Sequence, residues 1–231
     1  MKNLKLKLKN SRYKSAFTMI ELVFVIVVLG ILAAMALPRL DRDHREEATS
    51  SIVSSLMYAK HMALTDNVTN PTDNKWQRAF WRFGITKCSD DGIFYYIGSD
   101  KNYDGLINTS EAIEDPASGK VMMANSAQPC ADNVDKKVSP SILLTKKYGI
   151  DDSMITFTNC SPVDDAKADT DKYIGFDYFG RTHKGFLDST TPDFSSRVHT
   201  DCNITLSFKN DLNDVVITIE SDTGFISVDY K

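Results

Sequence analysis

Between Phe17 and Leu37 the chain runs FTMIELVFVIVVLGILAAMAL, 21 residues in which Glu21 is the only ionisable side chain. A helix rising about 1.5 Å per residue would carry that stretch about 31 Å, the thickness of a bilayer's hydrocarbon core. The run therefore predicts a helix that crosses a membrane once. Its flanks give the direction: residues 1–16 hold Lys2, Lys5, Lys7, Lys9, Arg12 and Lys14 and no acid. Cations stay on the cytoplasmic side, so the expected topology is a single-pass membrane protein with residues 40–231 on the extracytoplasmic side.

A cleaved secretory signal also begins with basic residues and an apolar run. Its apolar region spans only about 7–15 residues and ends in a small-x-small site before a polar mature start. AAMALPRL offers only a weak site of that kind. Removing the six leader cations from the 27 Lys and Arg leaves 21 against 31 acids, so everything from Phe17 onward carries −10. That excess excludes a broad nucleic-acid footprint and leaves only a local one. A hydrophobic content of 42% is enough for a packed core.

The string KSAFTMIELVFVIVVLGILAAMALP resembles the processing and assembly segment of type IV pilins and type II secretion pseudopilins. The resemblance implies that prepilin peptidase removes leader 1–16 by cutting after Ala16, where Gly is commoner, and that Phe17 is then N-methylated. The family's glutamate at the fifth mature position falls on Glu21, and its helix-softening Gly and Pro fall on Gly30 and Pro38. It also implies other pilins as partners in a helical filament rooted in the inner membrane. A lone carboxylate in an apolar helix is costly, and pairing with the Phe17 amine of a neighbouring subunit would remove the desolvation cost of both charges.

After Pro38 the apolar residues Ile52, Val53, Leu56, Ala59, Ala63 and Leu64 recur at three- and four-residue spacing, which predicts an amphipathic helix. TDNVTNPTDN ends it. Arg39 to His44 read as a solvated charge cluster. The expected divisions are helix 17–67, with 17–37 in the membrane or filament core, and a head over 68–231. Short β-branched and aromatic runs fill the head: KWQRAFWRFGIT, GIFYYIGS, ITFTNC, KYIGFDYFGRTHKGFL, NITLSFKN, VVITIES and GFISVDY. The expected class is α+β and pilin-like, a long N-terminal helix attached to an antiparallel sheet or sandwich. SSIVSSLMYAKHMALTDN, IGFDYFGRTHKGF and the Thr223-Gly224 turn resemble the H-type, or fimbrial-T-like, minor pseudopilins. That likeness implies a subunit at or near the tip of a secretion pseudopilus or type IV pilus.

Within the head, DKNYDGLINTSE fits the twelve-residue calcium loop D-x-[DN]-x-[DN]-G-x5-E without a gap. Asp100, Asn102 and Asp104 would supply side-chain oxygens, Leu106 its carbonyl, Asn108 a direct or water-mediated contact, and Glu111 a bidentate carboxylate. A preceding strand and the following Pro116 make it an isolated loop rather than a helix-loop-helix hand.

Cys88, Cys130, Cys160 and Cys202 all lie in the expected periplasmic head, where two disulfides are expected. Three connectivities are open, and Cys88–Cys130 with Cys160–Cys202 is favoured. No H-E-x-x-H, G-x-S-x-G, G-x-G-x-x-G or phosphate-loop string is present, and the four histidines are scattered. A structural role is expected over catalysis. The alternative is a DNA-binding minor pilin of a competence pilus, with Arg181, His183 and Lys184 as its local basic surface.

Overall fold

The computed structural model describes residues 18–130, 135–160, 172–191, 193–208 and 213–231, with the side chains of 33–43 excepted. The chain divides into two compact units, Met1–Arg42 and Asp43–Lys231. Helix α1 covers Met19–Thr65. In the first unit its apolar side chains point outward on every side: Met19 is 86% exposed, and Leu22, Phe24, Ile26, Leu29 and Leu32 are all exposed. Among the described residues no helix is long and apolar enough to cross a membrane. The expected span 17–37 lies partly outside them, because Phe17 and the side chains of 33–37 are not described.

In the second unit the same helix is one-sided. Ala48, Ile52, Leu56, Ala59 and Ala63 are 0–2% exposed and form a single stripe against the head. Full burial of each Ile or Leu is worth about 2–3 kcal/mol. At its end, the Thr65 hydroxyl turns back onto the carbonyls of His61 and Met62, and the Asn67–Pro71 stretch continues without helix.

Among the described residues, eight strands follow in two antiparallel sheets. β1 (Trp81–Lys87), β2 (Ile93–Gly98), β4 (Lys172–Phe176) and β5 (Thr182–His183) form the order β2-β1-β4-β5. β3 (Ile155–Thr158), β6 (Cys202–Leu206), β7 (Val215–Ile219) and β8 (Ile226–Tyr230) form β3-β6-β7-β8. The short helix α2 (Leu144–Tyr148) ends at Gly149 in the left-handed conformation.

The two sheets differ in how they are covered. β6 and β7 alternate buried with half-buried residues, as in a sheet with one face on a core. β1 and β2 are buried almost throughout. One face joins the core under α1, while Tyr173 of β4 belongs to a second cluster with Trp76, Phe80, Phe186 and Leu187. Gly84 and Gly175 leave room for the rings of Tyr96 and Phe186, which a Cβ would strike.

The strand expected from residue 75 begins only at Trp81. Trp76–Ala79 is instead a 3-10 helix. Asp73 accepts from the backbone N–H groups of Lys75 and Trp76 and winds the turn. Trp76, Gln77 and Ala79 are then buried together, which strict strand alternation would not allow on one face.

Candidate functional site

Glu21 sits in the first turn of α1. Thr18 and Glu21 form a reciprocal cap: the Glu21 N–H donates to the Thr18 hydroxyl at 3.3 Å, and the Thr18 N–H donates to Glu21 Oε2 at 3.5 Å. The T-x-x-E spacing of residues 18–21 is the sequence signature of this arrangement. Within one chain, therefore, the carboxylate serves the helix start. Ala16 and Phe17, the expected processing residues, lie outside the described residues.

The loop 100–111 leaves the end of β2 and returns to it. Ser99 N–H donates to Glu111 O at 3.3 Å and Ile113 N–H to Ile97 O at 3.0 Å. A Cβ on Gly98 would stand 2.9 Å from the Glu111 carbonyl oxygen, so the closing end of the loop lies directly on β2. Ile107 turns inward and is 4% exposed.

The loop's side chains organise its backbone. The Asp100 carboxylate, 0% exposed, accepts from the N–H groups of Asp104 at 3.2 Å and Gly105 at 2.7 Å. Asn102 Oδ1 accepts from Asp104 N–H at 2.9 Å, and Asp104 Oδ1 from Leu106 N–H at 2.8 Å. Glu111 reaches back across the loop to the N–H groups of Lys101, Asn102 and Asn108, while Asn108 Oδ1 accepts from Ser110. Gly105 takes φ +87°, the turn that favours glycine at the loop's sixth position.

Burial pushes the Asp100 carboxyl up, and the charges of Asp104 and Glu111 push the same way; the Gly105 N–H and the Arg82 charge oppose them. Negative charge thus accumulates in a set of oxygen donors, the chemistry that suits a hard cation. Among the described residues, one group of three or more His, Cys, Asp or Glu places its ligand atoms within 4.8 Å of one another: Cys88, Asp90 and Cys130. The sulfurs there are joined in a disulfide. The loop carboxylates stand farther apart, held by the backbone N–H groups just described. Asp100, Asn102, Asp104, Leu106, Asn108 and Glu111, the ligands expected from the sequence, all lie along this one loop.

Of Arg181, His183 and Lys184, the residues expected as a basic surface for DNA, Arg181 and Lys184 are half-buried and His183 does not reach the surface. His183 is fully buried, with Nε2 3.2 Å from Asp177 Oδ2 and Nδ1 2.9 Å from the Ser196 hydroxyl. Arg181 pairs with the same Asp177 oxygen, at 2.7 Å from Nε and 2.6 Å from Nη2. Burial alone would raise the Asp177 carboxyl, but hydrogen bonds from His183 and Arg181 hold it at about 2. Ser196, His183 and Asp177 occur in the order of a nucleophile relay, yet the imidazole is inaccessible and its aspartate is engaged by Arg181. The chain of bonds instead ties the β4–β5 turn to residue 196. Sequence spacing could not show that a histidine flanked by Arg181 and Lys184 would point into an aromatic cluster, 4.6 Å from the Phe80 ring centroid.

Two disulfides join Cys88 with Cys130 and Cys160 with Cys202, with Cα–Cα distances of 5.6 and 5.1 Å. The first links the end of β1 to residue 130, and the second links the chain after β3 to the start of β6.

Residues 11–37 match the prokaryotic N-terminal methylation motif, a stretch that includes Ala16, Phe17 and Glu21 and ends before the head. No curated protein and no solved structure matches the chain. The motif supports a type IV pilin-like protein, membrane-anchored and filament-forming, processed by prepilin peptidase and assembling with other pilins.

Proposed function

We propose that this protein is a minor pseudopilin or minor pilin of the H-type, incorporated at or near the tip of a type II secretion pseudopilus or type IV pilus. The observation that carries the reading is the methylation motif over 11–37. Its described part is an outward-facing apolar helix with one carboxylate, Glu21. Before assembly the bilayer solvates that surface; in the filament, neighbouring helices replace the lipid. The Glu21 carboxylate then leaves its Thr18 cap for the methylated amine of an adjacent Phe17. The head remains on the periplasmic side.

Gene deletion tests the role, with secreted proteins, surface pili and DNA uptake measured in one strain. Loss of secretion or of pili is expected. Normal secretion and normal piliation together would overturn the reading, and loss of uptake alone would move it to a competence pilus.

The same reading assigns the 100–111 loop to calcium, with a structural role and an affinity of about 10⁻⁴ to 10⁻³ M, as in extracellular modules. Bound calcium would supply positive charge to a buried carboxylate cluster and fix the loop against β2. Chelator is expected to lower the melting temperature of the full chain in detergent, and an unchanged transition would remove calcium from the account.

A further inference from the structure

The geometry points to Arg82 as a built-in counter-charge of the 100–111 loop, one that keeps the loop folded without a cation and weakens its hold on calcium. This rests on the calcium assignment above.

Arg82 lies in β1 between Trp81 and Phe83 and is 1% exposed. Its Nη2 donates to the Gly105 carbonyl oxygen at 3.0 Å, 23 residues away. Its Nε and Nη1 are buried and find no hydrogen-bond partner among the described residues. The guanidinium faces the Tyr173 ring, 5.8 Å from the centroid. Guanidinium remains protonated in proteins, so a full positive charge is buried with two donors unmatched. Such a group is retained only where another charge offsets its desolvation.

The offset is the loop itself. Gly105, which Arg82 binds, lies between Asp104 and Leu106, two of the expected ligand positions. The fully buried Asp100 carboxylate feels the Arg82 charge and bonds the Gly105 N–H on the other side of the same residue. Asp100, Asp104 and Glu111 bring three negative charges; Arg82 supplies one positive charge and a calcium ion would supply two. These three carboxylates are balanced only with both; the loop's remaining charge, Lys101, is exposed. Without the ion Arg82 reduces the mutual repulsion of the carboxylates; with it, two cations share one low-dielectric site and repel.

Calcium titration of the full chain in detergent, with melting measured in chelator, tests this in wild type, Arg82→Met, Arg82→Gln and Arg82→Lys. The neutral variants are expected to bind calcium at least about tenfold tighter than wild type. They should also melt at lower temperature in chelator and recover most of that loss in calcium. Arg82→Lys, which keeps the charge, should bind within about twofold of wild type.

Equal or weaker affinity in the neutral variants, with wild type still binding, overturns the role of Arg82 and leaves the calcium assignment standing. A lysine variant that binds as tightly as the neutral ones also overturns it, because charge would not be the cause. Binding by the neutral variants alone supports Arg82 and overturns the calcium assignment for the natural chain. Binding by no variant overturns both. Failure of both neutral variants to fold in calcium overturns the proposal, since the ion should then compensate.

Discussion

Two stretches of α1 respond to opposite surroundings. Over 19–32 the helix is apolar on all sides and exposed, whereas over 48–63 only one stripe is apolar and that stripe is buried. Leu29 and Leu56 show the contrast: the first is 58% exposed and the second 0%. An apolar residue stabilises a fold only where something covers it. The head covers the second stretch; under the proposed function lipid or neighbouring subunits would cover the first.

The largest expected effect falls on the uncovered stretch. Glu21→Ala should leave a processed protein that fails to enter filaments, with the melting of the head unchanged. Cell fractionation with filament shearing measures this, and normal incorporation would break the contrast by showing that apolar packing alone suffices.

Within the covered region, losing the Cys160–Cys202 bridge in a Cys160→Ser, Cys202→Ser double variant should cost about 4 kcal/mol, from the loop entropy released in the unfolded chain. Denaturant melts of the oxidised wild type and this variant would show it. Leu56→Ala should cost about 3 kcal/mol. Leu29→Ala should change head stability by less than about 0.5 kcal/mol. Equal losses at Leu56 and Leu29 would mean that the two stretches do not differ as described.

A smaller effect depends on pH. The Asp177 carboxyl is held at about 2, below its ordinary 3.8. The unfolded chain therefore binds the proton first, and Asp177 contributes stability that is fully present above about 3.8 and lost as pH falls toward 2. The loss is about 2 kcal/mol. Asp177→Asn should flatten that part of the acid melting profile, and an unchanged profile would show that the bonds to Arg181 and His183 contribute nothing net.

Several features were readable in the sequence because their signals are local. The stripe through Ile52, Leu56, Ala59 and Ala63 follows helical spacing, and the later strands follow alternation bounded by turns. In the 100–111 loop the local Asp, Asn and Gly spacing shows in the backbone: Asp100, Asn102, Asp104 and Glu111 accept from backbone N–H groups, and Gly105 takes the left-handed turn. Local patterns misled where a contact outside the window decided. Trp76–Ala79 alternates like a strand but is wound by Asp73. His183 and Arg181 look like solvent-facing cations beside Lys184, but both bond Asp177.

The sequence by itself determined the apolar segment with its single Glu21, the run of cations over residues 1–16, the cysteines' positions in the chain and the Asp, Asn and Gly spacing of the 100–111 loop, because each depends on residue type and short-range order. Only the tertiary structure decided that the strands divide into two sheets, that Cys88 meets Cys130 and Cys160 meets Cys202, and that Arg82 lies buried against Gly105. Those outcomes depend on which distant surfaces exclude water together. A charge such as Arg82 looks like any solvated strand residue until the fold surrounds it.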